Sequence, residues 1–160
     1  MTISQNTEAA HTHTPRMDLF ALAPDVYKAM VALDRAARAG VDPQLAELIK
    51  IRASQLNHCA FCLEMHTRDA RGLGISEEKI VMLSAWEEAS GYFTEKERAV
   101  LALTEAVTVL TDGFVPDEVW EQAAKHVEEQ ELAQIIAQIF VINSWNRIAV
   151  TTRKTPTGPR

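Results

Sequence analysis

The 160-residue sequence contains no apolar run approaching the ~20 residues that a membrane-spanning helix needs. Residues 1–15 also lack the apolar centre of a signal peptide. Basic residues are not in excess, since the formal net charge is −6, whereas nucleic-acid binding calls for a basic face. We therefore expect a cytoplasmic protein with neither a membrane nor a nucleic-acid partner.

Cysteine is scarce as well, with two in the whole chain. A single domain of this length buries roughly two-thirds of the surface that its unfolded chain exposes, so neither a disulfide nor a metal is needed to hold it together. In a reducing cytosol, a lone close cysteine pair is more often catalytic or metal-binding than structural. Around a domain at 17–152, we predict a disordered leader at 1–16 and a flexible tail at 153–160.

Helix signals follow one another along the chain. Pro24 opens a helix that stops at Gly40, and Asp42-Pro43 is a cap followed by a first-turn proline. Thr94 with Glu97 forms a capping box. The β-rich run IIAQIFVI (135–142) fits a buried helix because its flanks extend it beyond the length of a strand. The pattern predicts an all-α domain of about six or seven helices with short connections.

Both cysteines lie in the stretch LNHCAFCLEMH (56–66). A Cys59–Cys62 disulfide would close a four-residue loop and so add little stability. A metal site is a second interpretation, with His66 as a third ligand and Glu47 or His58 completing the shell. The second ligand pair of a usual zinc site is missing.

A redox-active pair is the third interpretation. With Asn57 as the predicted helix cap, Cys59 and Cys62 lie in the first turn, where unpaired N–H groups and the helix dipole favour a thiolate. Their Cβ atoms would be ~5–6 Å apart, whereas a disulfide needs ~3.8 Å. A bond formed there would be strained and easily reduced.

His66 follows Cys62 by one helical turn on the same face. Its imidazole is placed to take the thiol proton or to stabilise the thiolate. If the chain bends near Asn57, the carboxylate of Glu47 could fold back to orient that imidazole. The alternative is a surface glutamate on an amphipathic helix.

The segment ELIKIRASQLNHCAFCLEMHTRDAR resembles the active-site signature of the alkylhydroperoxidase-D-like branch of the carboxymuconolactone decarboxylase family. That signature is Glu, eleven residues, Cys, two residues, Cys, three residues, His, and it matches at Glu47, Cys59, Cys62 and His66. The resemblance implies an all-helical fold, assembly into trimers or hexamers, and a peroxidase cycle without cofactor or metal. It implies that Cys62 attacks the peroxide, that Cys59 resolves and meets the reductant, and that His66 and Glu47 relay protons.

The chain departs from the best-known alkylhydroperoxidase of that branch, which has a histidine between its cysteines. Ala60 and Phe61 fill this gap, and His58 precedes the pair instead. His58 is either a substitute polar group or an exposed residue beside the cap. Decarboxylase members of the family do not rely on the cysteine pair, which argues against lactone decarboxylation.

The sequence thus predicts a thiol peroxidase or disulfide oxidoreductase that acts on hydroperoxides. Its partners would be a hydroperoxide substrate, a dithiol protein or small thiol as reductant, and further copies of itself. A zinc-binding oligomer and a non-enzymatic redox sensor are the alternatives. Helical spacing places the aromatic side chains in the core, with part of their surface facing a partner subunit: Trp86, Trp120, Phe140 and Trp145.

Overall fold

The computed structural model describes residues 14–158, and within them the protein is all-helical, without strands. It has eight α-helices and one 3₁₀ turn, Leu83–Ala85. The helices are α1 Leu19–Leu22, α2 Pro24–Arg38, α3 Pro43–Leu56, α4 Ala60–Gly72, α5 Glu77–Met82, α6 Glu95–Thr108, α7 Asp117–His126 and α8 Glu129–Thr152. The predicted fold class is confirmed, and the extra helix is the single-turn α1, whose N–H groups are capped by Asp18.

The predicted helix starts are present. Asp42 caps α3 by accepting a hydrogen bond from the Leu45 N–H, and Pro43 occupies the first turn. Thr94 and Glu97 form both bonds of the capping box at the start of α6. These local signals need no tertiary partner, which is why they can be identified from sequence.

Helix α3 is the central element. It packs against α4, α6 and α8, and every residue from Leu45 to Ile51 is buried. One apolar cluster joins α3 to α6, α7 and α8, and another joins it to α4, α5 and the segment ending at Phe93. Polar residues on α3 are therefore carried into the interior, and Glu47 and Lys50 are among them.

The four aromatic residues that we predicted in the core are buried to different degrees. Trp120 is 45% exposed and Phe140 is 44% exposed, so the prediction that they lie in the core is wrong for both. Trp86 is buried. Trp145 is half-buried and packs edge-on against Phe20 at 5.9 Å between ring centroids.

The described ends of the chain lie against helices. Arg16 donates hydrogen bonds to the carbonyls of Thr151 and Thr152 at the end of α8. Near the other end, the N–H groups of Thr157 and Gly158 donate to the Glu64 carboxylate on α4. The disorder predicted for the leader falls largely on residues 1–13, outside the described residues, and the flexibility of the tail stays a prediction. Between residues 14 and 158, no helix has the length and apolar character that crossing a membrane requires.

Candidate active site

The two cysteines lie where α3 turns into α4. Asn57 ends α3 as its C-cap, and Cys59 is the N-cap of α4. The prediction that Asn57 caps α4 is therefore wrong, because the chain needs two more residues to reverse. His58 makes that reversal with φ of 52°, a left-handed conformation that costs a non-glycine residue about 1–3 kcal/mol. The turn is held by the Cys59 N–H, which donates to the Ser54 carbonyl over 3.0 Å.

Both thiols are free and buried, and they are not at bonding distance. A hydrogen bond from Cys62 stabilises the Cys59 thiolate and outweighs the effect of burial, so the pKa of Cys59 falls to about 7. The N–H groups of Phe61 and Cys62, in the first turn of α4, favour the same charge. The same bond, with burial, raises the pKa of Cys62. The hydrogen bond between the two sulfurs therefore favours a thiolate at Cys59 and a protonated thiol at Cys62.

An amide cluster from α8 lies against the cysteine turn. The Asn57 amide donates to Asn143 Oδ1 at 2.9 Å and to Asn146 Oδ1 at 3.0 Å. Asn146 Nδ2 donates to Ser54 Oγ at 3.0 Å. Asn146 is fully buried and its side chain lowers the pKa of both thiols. This cluster fixes the turn against α8 and supplies a donor to whichever sulfur carries the charge.

His66, Glu47 and Lys50 form a second buried cluster. His66 Nδ1 lies 2.9 Å from Glu47 Oε2, and Lys50 Nζ lies 2.7 Å from Glu47 Oε1. Burial raises the pKa of Glu47, but the bonds and charges of His66 and Lys50 outweigh it and hold that pKa below its usual value. An ionised Glu47 accepts the Nδ1 proton of His66, which leaves Nε2 as a proton acceptor.

Cys62 and His66 line one cavity of about 310 Å³. No direct hydrogen bond joins their side chains among those found in residues 14–158. A proton passing between them would cross the cavity through a solvent molecule or a ligand. Most of the wall is apolar or aromatic, and its largest contributors are Phe20, Tyr27, Phe61, Met65, Ile142 and Trp145.

Cys59 lines a different cavity, of about 380 Å³. Its rim carries three basic side chains, Arg16, Arg153 and Lys154, with the exposed His58 beside them. Lys154 and Phe61 line both cavities, and the Lys154 ammonium lies 4.3 Å from the centre of the Phe61 ring. The two sulfurs thus line different cavities, and Phe61, Ala149 and Lys154 line both of them.

The described residues offer one group of ligand atoms close enough to share a metal ion, namely Glu47, His66 and Asp69. It includes neither cysteine, so the geometry does not assemble the predicted Cys59, Cys62 and His66 set around an ion. Lys50 already neutralises Glu47 at 2.7 Å, and Asp69 is exposed. No metal chemistry is drawn from this group.

The structure brings Glu47 and His66 together and places Cys59 beside Cys62, in agreement with the predicted proximity; their roles stay predictions. His58 lies with Cys59 on the second cavity rather than in the first. Sequence reasoning missed Lys50 and gave Asn57 only a capping role. For Asn143 and Asn146, which flank Trp145, the sequence left open whether they line the site or cap an interface. The one available signal was the spacing of polar side chains along the otherwise apolar α8.

Fold and site together define an all-helical protein with a Cys-x-x-Cys pair next to a buried His–Glu pair. The model of the carboxymuconolactone decarboxylase family matches residues 24–106, more than half of the chain. The uncharacterized protein YdfG of Bacillus subtilis (strain 168) is 38% identical over 136 residues, covering 84% of this chain and 92% of the relative. The chain belongs to the carboxymuconolactone decarboxylase family, in its AhpD-like branch.

Solved structures agree with this placement. A protein of unknown function from Agrobacterium tumefaciens, named as a candidate antioxidant defence protein AhpD, superposes with a TM-score of 0.88 at 36% identity, covering 91% of this chain and 100% of that one. The debrominase Bmp8 has a TM-score of 0.78 at 20% identity, covering 87% and 75%. An alkylhydroperoxidase AhpD core protein from Ralstonia eutropha JMP134 has 0.75 at 21%, covering 86% and 74%. The last two show the fold alone.

Proposed function

We propose that the protein is a thiol peroxidase of antioxidant defence, which reduces hydroperoxides and is reset by an external thiol. One observation carries the proposal: Cys62, one of two neighbouring free thiols, lines the same cavity as His66. His66 is held by the ionised Glu47 in the tautomer that accepts a proton. A structural thiol pair would need neither the cavity nor the histidine.

The first step is the attack of Cys62 on the peroxide. The hydrogen bond from Cys62 favours the negative charge on Cys59, so attack by Cys62 requires that its proton first move to Cys59 or His66. Asn146 and the Lys154 ammonium both favour the charge once it is on Cys62. The Cys62 sulfur then bonds to the terminal peroxide oxygen as the O–O bond breaks. The leaving alkoxide takes up the released proton, giving an alcohol and a sulfenic acid at Cys62.

The second step closes the disulfide. The Cys59 thiolate attacks the Cys62 sulfur, the S–O bond breaks, and the departing hydroxide takes up a proton from solvent and leaves as water. Cys59 is the N-cap, with extended backbone at φ −92° and ψ 90°. Its movement toward Cys62 therefore disturbs the turn and the first bond of α4, from the Leu63 N–H to the Cys59 carbonyl, and leaves the later α4 hydrogen bonds in place. A disulfide formed at such a yielding turn is readily reduced.

The third step resets the site from the second cavity. A thiolate attacks the Cys59 sulfur, the disulfide breaks, and Cys62 leaves as thiolate. A second thiol then releases Cys59, and the reductant departs as a disulfide. The basic rim of Arg16, Arg153 and Lys154 supports an acidic thiol as the reductant, in a protein whose net charge is −6.

Peroxide consumption by the purified protein tests the proposal. We expect about one equivalent of peroxide consumed per subunit without reductant, with both thiols lost, and many equivalents once glutathione or a dithiol is added. One equivalent with every reductant, and never more, would make the protein a redox sensor. No thiol loss with any peroxide would refute the peroxidase. Light scattering on the same sample tests the trimer or hexamer that the resemblance implies.

A further inference from the structure

A buried amide without a hydrogen-bond partner lies on the wall of the first cavity. Gln138 of α8 is fully buried, and neither its Nε2 nor its Oε1 has a partner among residues 14–158. Buried amides in folded proteins are almost always hydrogen-bonded, because desolvation without a partner is costly. Both amide atoms are closed off from solvent in this conformation, and a turn of the side chain toward the cavity that it lines would give the amide a ligand as its partner.

Gln138 lies at the opposite end of the cavity from the cysteines. The α8 residues that line the wall follow at helical spacing: Gln138, Ile142, Trp145 and Ala149. Ala149 packs against both cysteines. At 1.5 Å of rise per residue, about 16 Å of helix separates Gln138 from Ala149. Ile142 and Trp145 form the apolar wall between them.

We infer that Gln138 is a substrate-binding residue that selects organic hydroperoxides with a neutral donor–acceptor group, such as a carboxamide, remote from the peroxide. This inference rests on the proposed peroxidase. The amide both donates and accepts, so its best match is a group that also does both. The peroxide would lie at Cys62, the apolar body along Ile142 and Trp145, and the remote group at Gln138. Hydrogen peroxide would leave both the apolar wall and the amide unused.

The selection has a physical basis. A site built to hydrogen-bond a polar group rejects the analogue that lacks it, because the site's own buried group is then left unpaired. An apolar pocket alone discriminates far less. Gln138 would therefore change the ratio of rates between two otherwise similar peroxides rather than the chemistry at sulfur.

Two matched probes test the inference: decyl hydroperoxide and its terminal carboxamide derivative, whose extended chain is long enough to reach from Cys62 to Gln138. We expect kcat/KM in the native protein to favour the carboxamide by about 10- to 100-fold, mostly through KM. In the Gln138→Leu and Gln138→Met variants this ratio should fall to near one. The control is Gln134→Leu, the same change one turn earlier on α8, outside the cavity lining. It should keep the native ratio.

Calorimetric titration with the two product alcohols tests the same site without turnover. The carboxamide alcohol should bind more tightly than decanol to the native protein, and the two alcohols should bind equally well to each Gln138 variant. If the native protein turned over no peroxide but kept this binding preference, the proposed function would fail and the Gln138 site would stand. Equal binding of the two alcohols by the native protein would overturn it.

Thermal unfolding excludes a structural role. Removal of an unpaired buried amide should raise Tm in Gln138→Leu or Gln138→Met, since an apolar side chain suits the cavity wall better when no ligand is bound. A fall in Tm in both variants would mean that the fold itself satisfies the amide. That result would overturn the inference, as would an unchanged probe ratio in both variants.

Discussion

Cys59 and Cys62 are almost equally buried, at 1% and 2% exposed, yet they differ in their position on the helix and in the cavity that each one lines. Cys59 caps a helix, receives the N–H groups of its first turn, and faces a cavity with a basic rim. Cys62 lies inside the helix and faces an apolar cavity that it shares with His66. The comparison teaches that burial does not set the reactivity of a thiol here. The residues that line the two cavities determine which molecules can reach each sulfur.

Removal of the sulfur on the apolar side is expected to have the largest effect. The Cys62→Ser variant should lose peroxide turnover by about a thousand-fold or more, because no other group in that cavity is a comparable nucleophile. Peroxide consumption in the presence of excess dithiothreitol measures it. Turnover within ten-fold of native would refute the assignment of Cys62 as the attacking thiol.

The matched variant, Cys59→Ser, separates attack from resolution. Cys62 should still be oxidised once, and its sulfenic acid should persist because the resolving sulfur is missing. Labelling with dimedone followed by mass spectrometry detects it. Label on Cys59 in the Cys62→Ser variant, and none on Cys62 in Cys59→Ser, would reverse the two roles.

The next largest effect is expected from a change in the buried Glu47–His66 pair. Glu47→Gln keeps the shape of the side chain but removes the charge that orients His66, so turnover should fall by about 10- to 100-fold. Initial rates on samples shown to be folded by circular dichroism measure the change. Glu77→Gln, which breaks the exposed pair with Arg71, is the control and should retain native turnover. Equal rates for the two variants would remove Glu47 from the mechanism.

Sequence reasoning reached the parts of this site that depend on local spacing. Cys62 and His66 are four residues apart on one helix, so their common face follows from the sequence. Glu47 was identified because it belongs to the same family signature. The cap of α4 was misplaced because asparagine suits either end of a helix. Only the structure shows that Asn57 closes α3.

The rest of the site is tertiary. Asn57 donates to Asn143 and Asn146, and Asn146 donates to Ser54, so these hydrogen bonds join residues 86 to 92 positions apart. The local sequence around these residues does not show which polar side chains of α8 face the interior. In the sequence, Lys50 resembles any lysine on the surface of a helix. In the structure, α3 packs against three other helices, and Lys50 is 3% exposed. Side chains of this kind become identifiable once helix contacts are known.

The third effect concerns the proton that the two sulfurs share. Alkylation of Cys59 by iodoacetamide should follow a midpoint near pH 7, the pKa set first by the hydrogen bond from Cys62. Without that donor the pKa should rise toward its ordinary value, so Cys62→Ala should alkylate about ten-fold more slowly at pH 7, in line with the fraction of thiolate. Rates measured from pH 5 to 10 define both midpoints. A midpoint unchanged by Cys62→Ala would mean that the helix start alone sets the pKa of Cys59.

The smallest effect belongs to the basic rim on the Cys59 side. Arg153 ends α8 with φ of 54° and lines the second cavity. Arg153→Glu should slow reduction by glutathione about three- to ten-fold, because it places a carboxylate where the anionic thiol approaches. Lys125→Glu on α7 makes the same change in net charge at an exposed position outside that cavity, and should change the rate little.

Half-molar salt should reduce the difference between the two variants, since screening then acts over a few ångströms. Reduction by dithiothreitol, which is neutral, should be nearly the same in both. If Arg153→Glu slowed both reductants equally, the rim would be holding the turn in place rather than attracting the thiol.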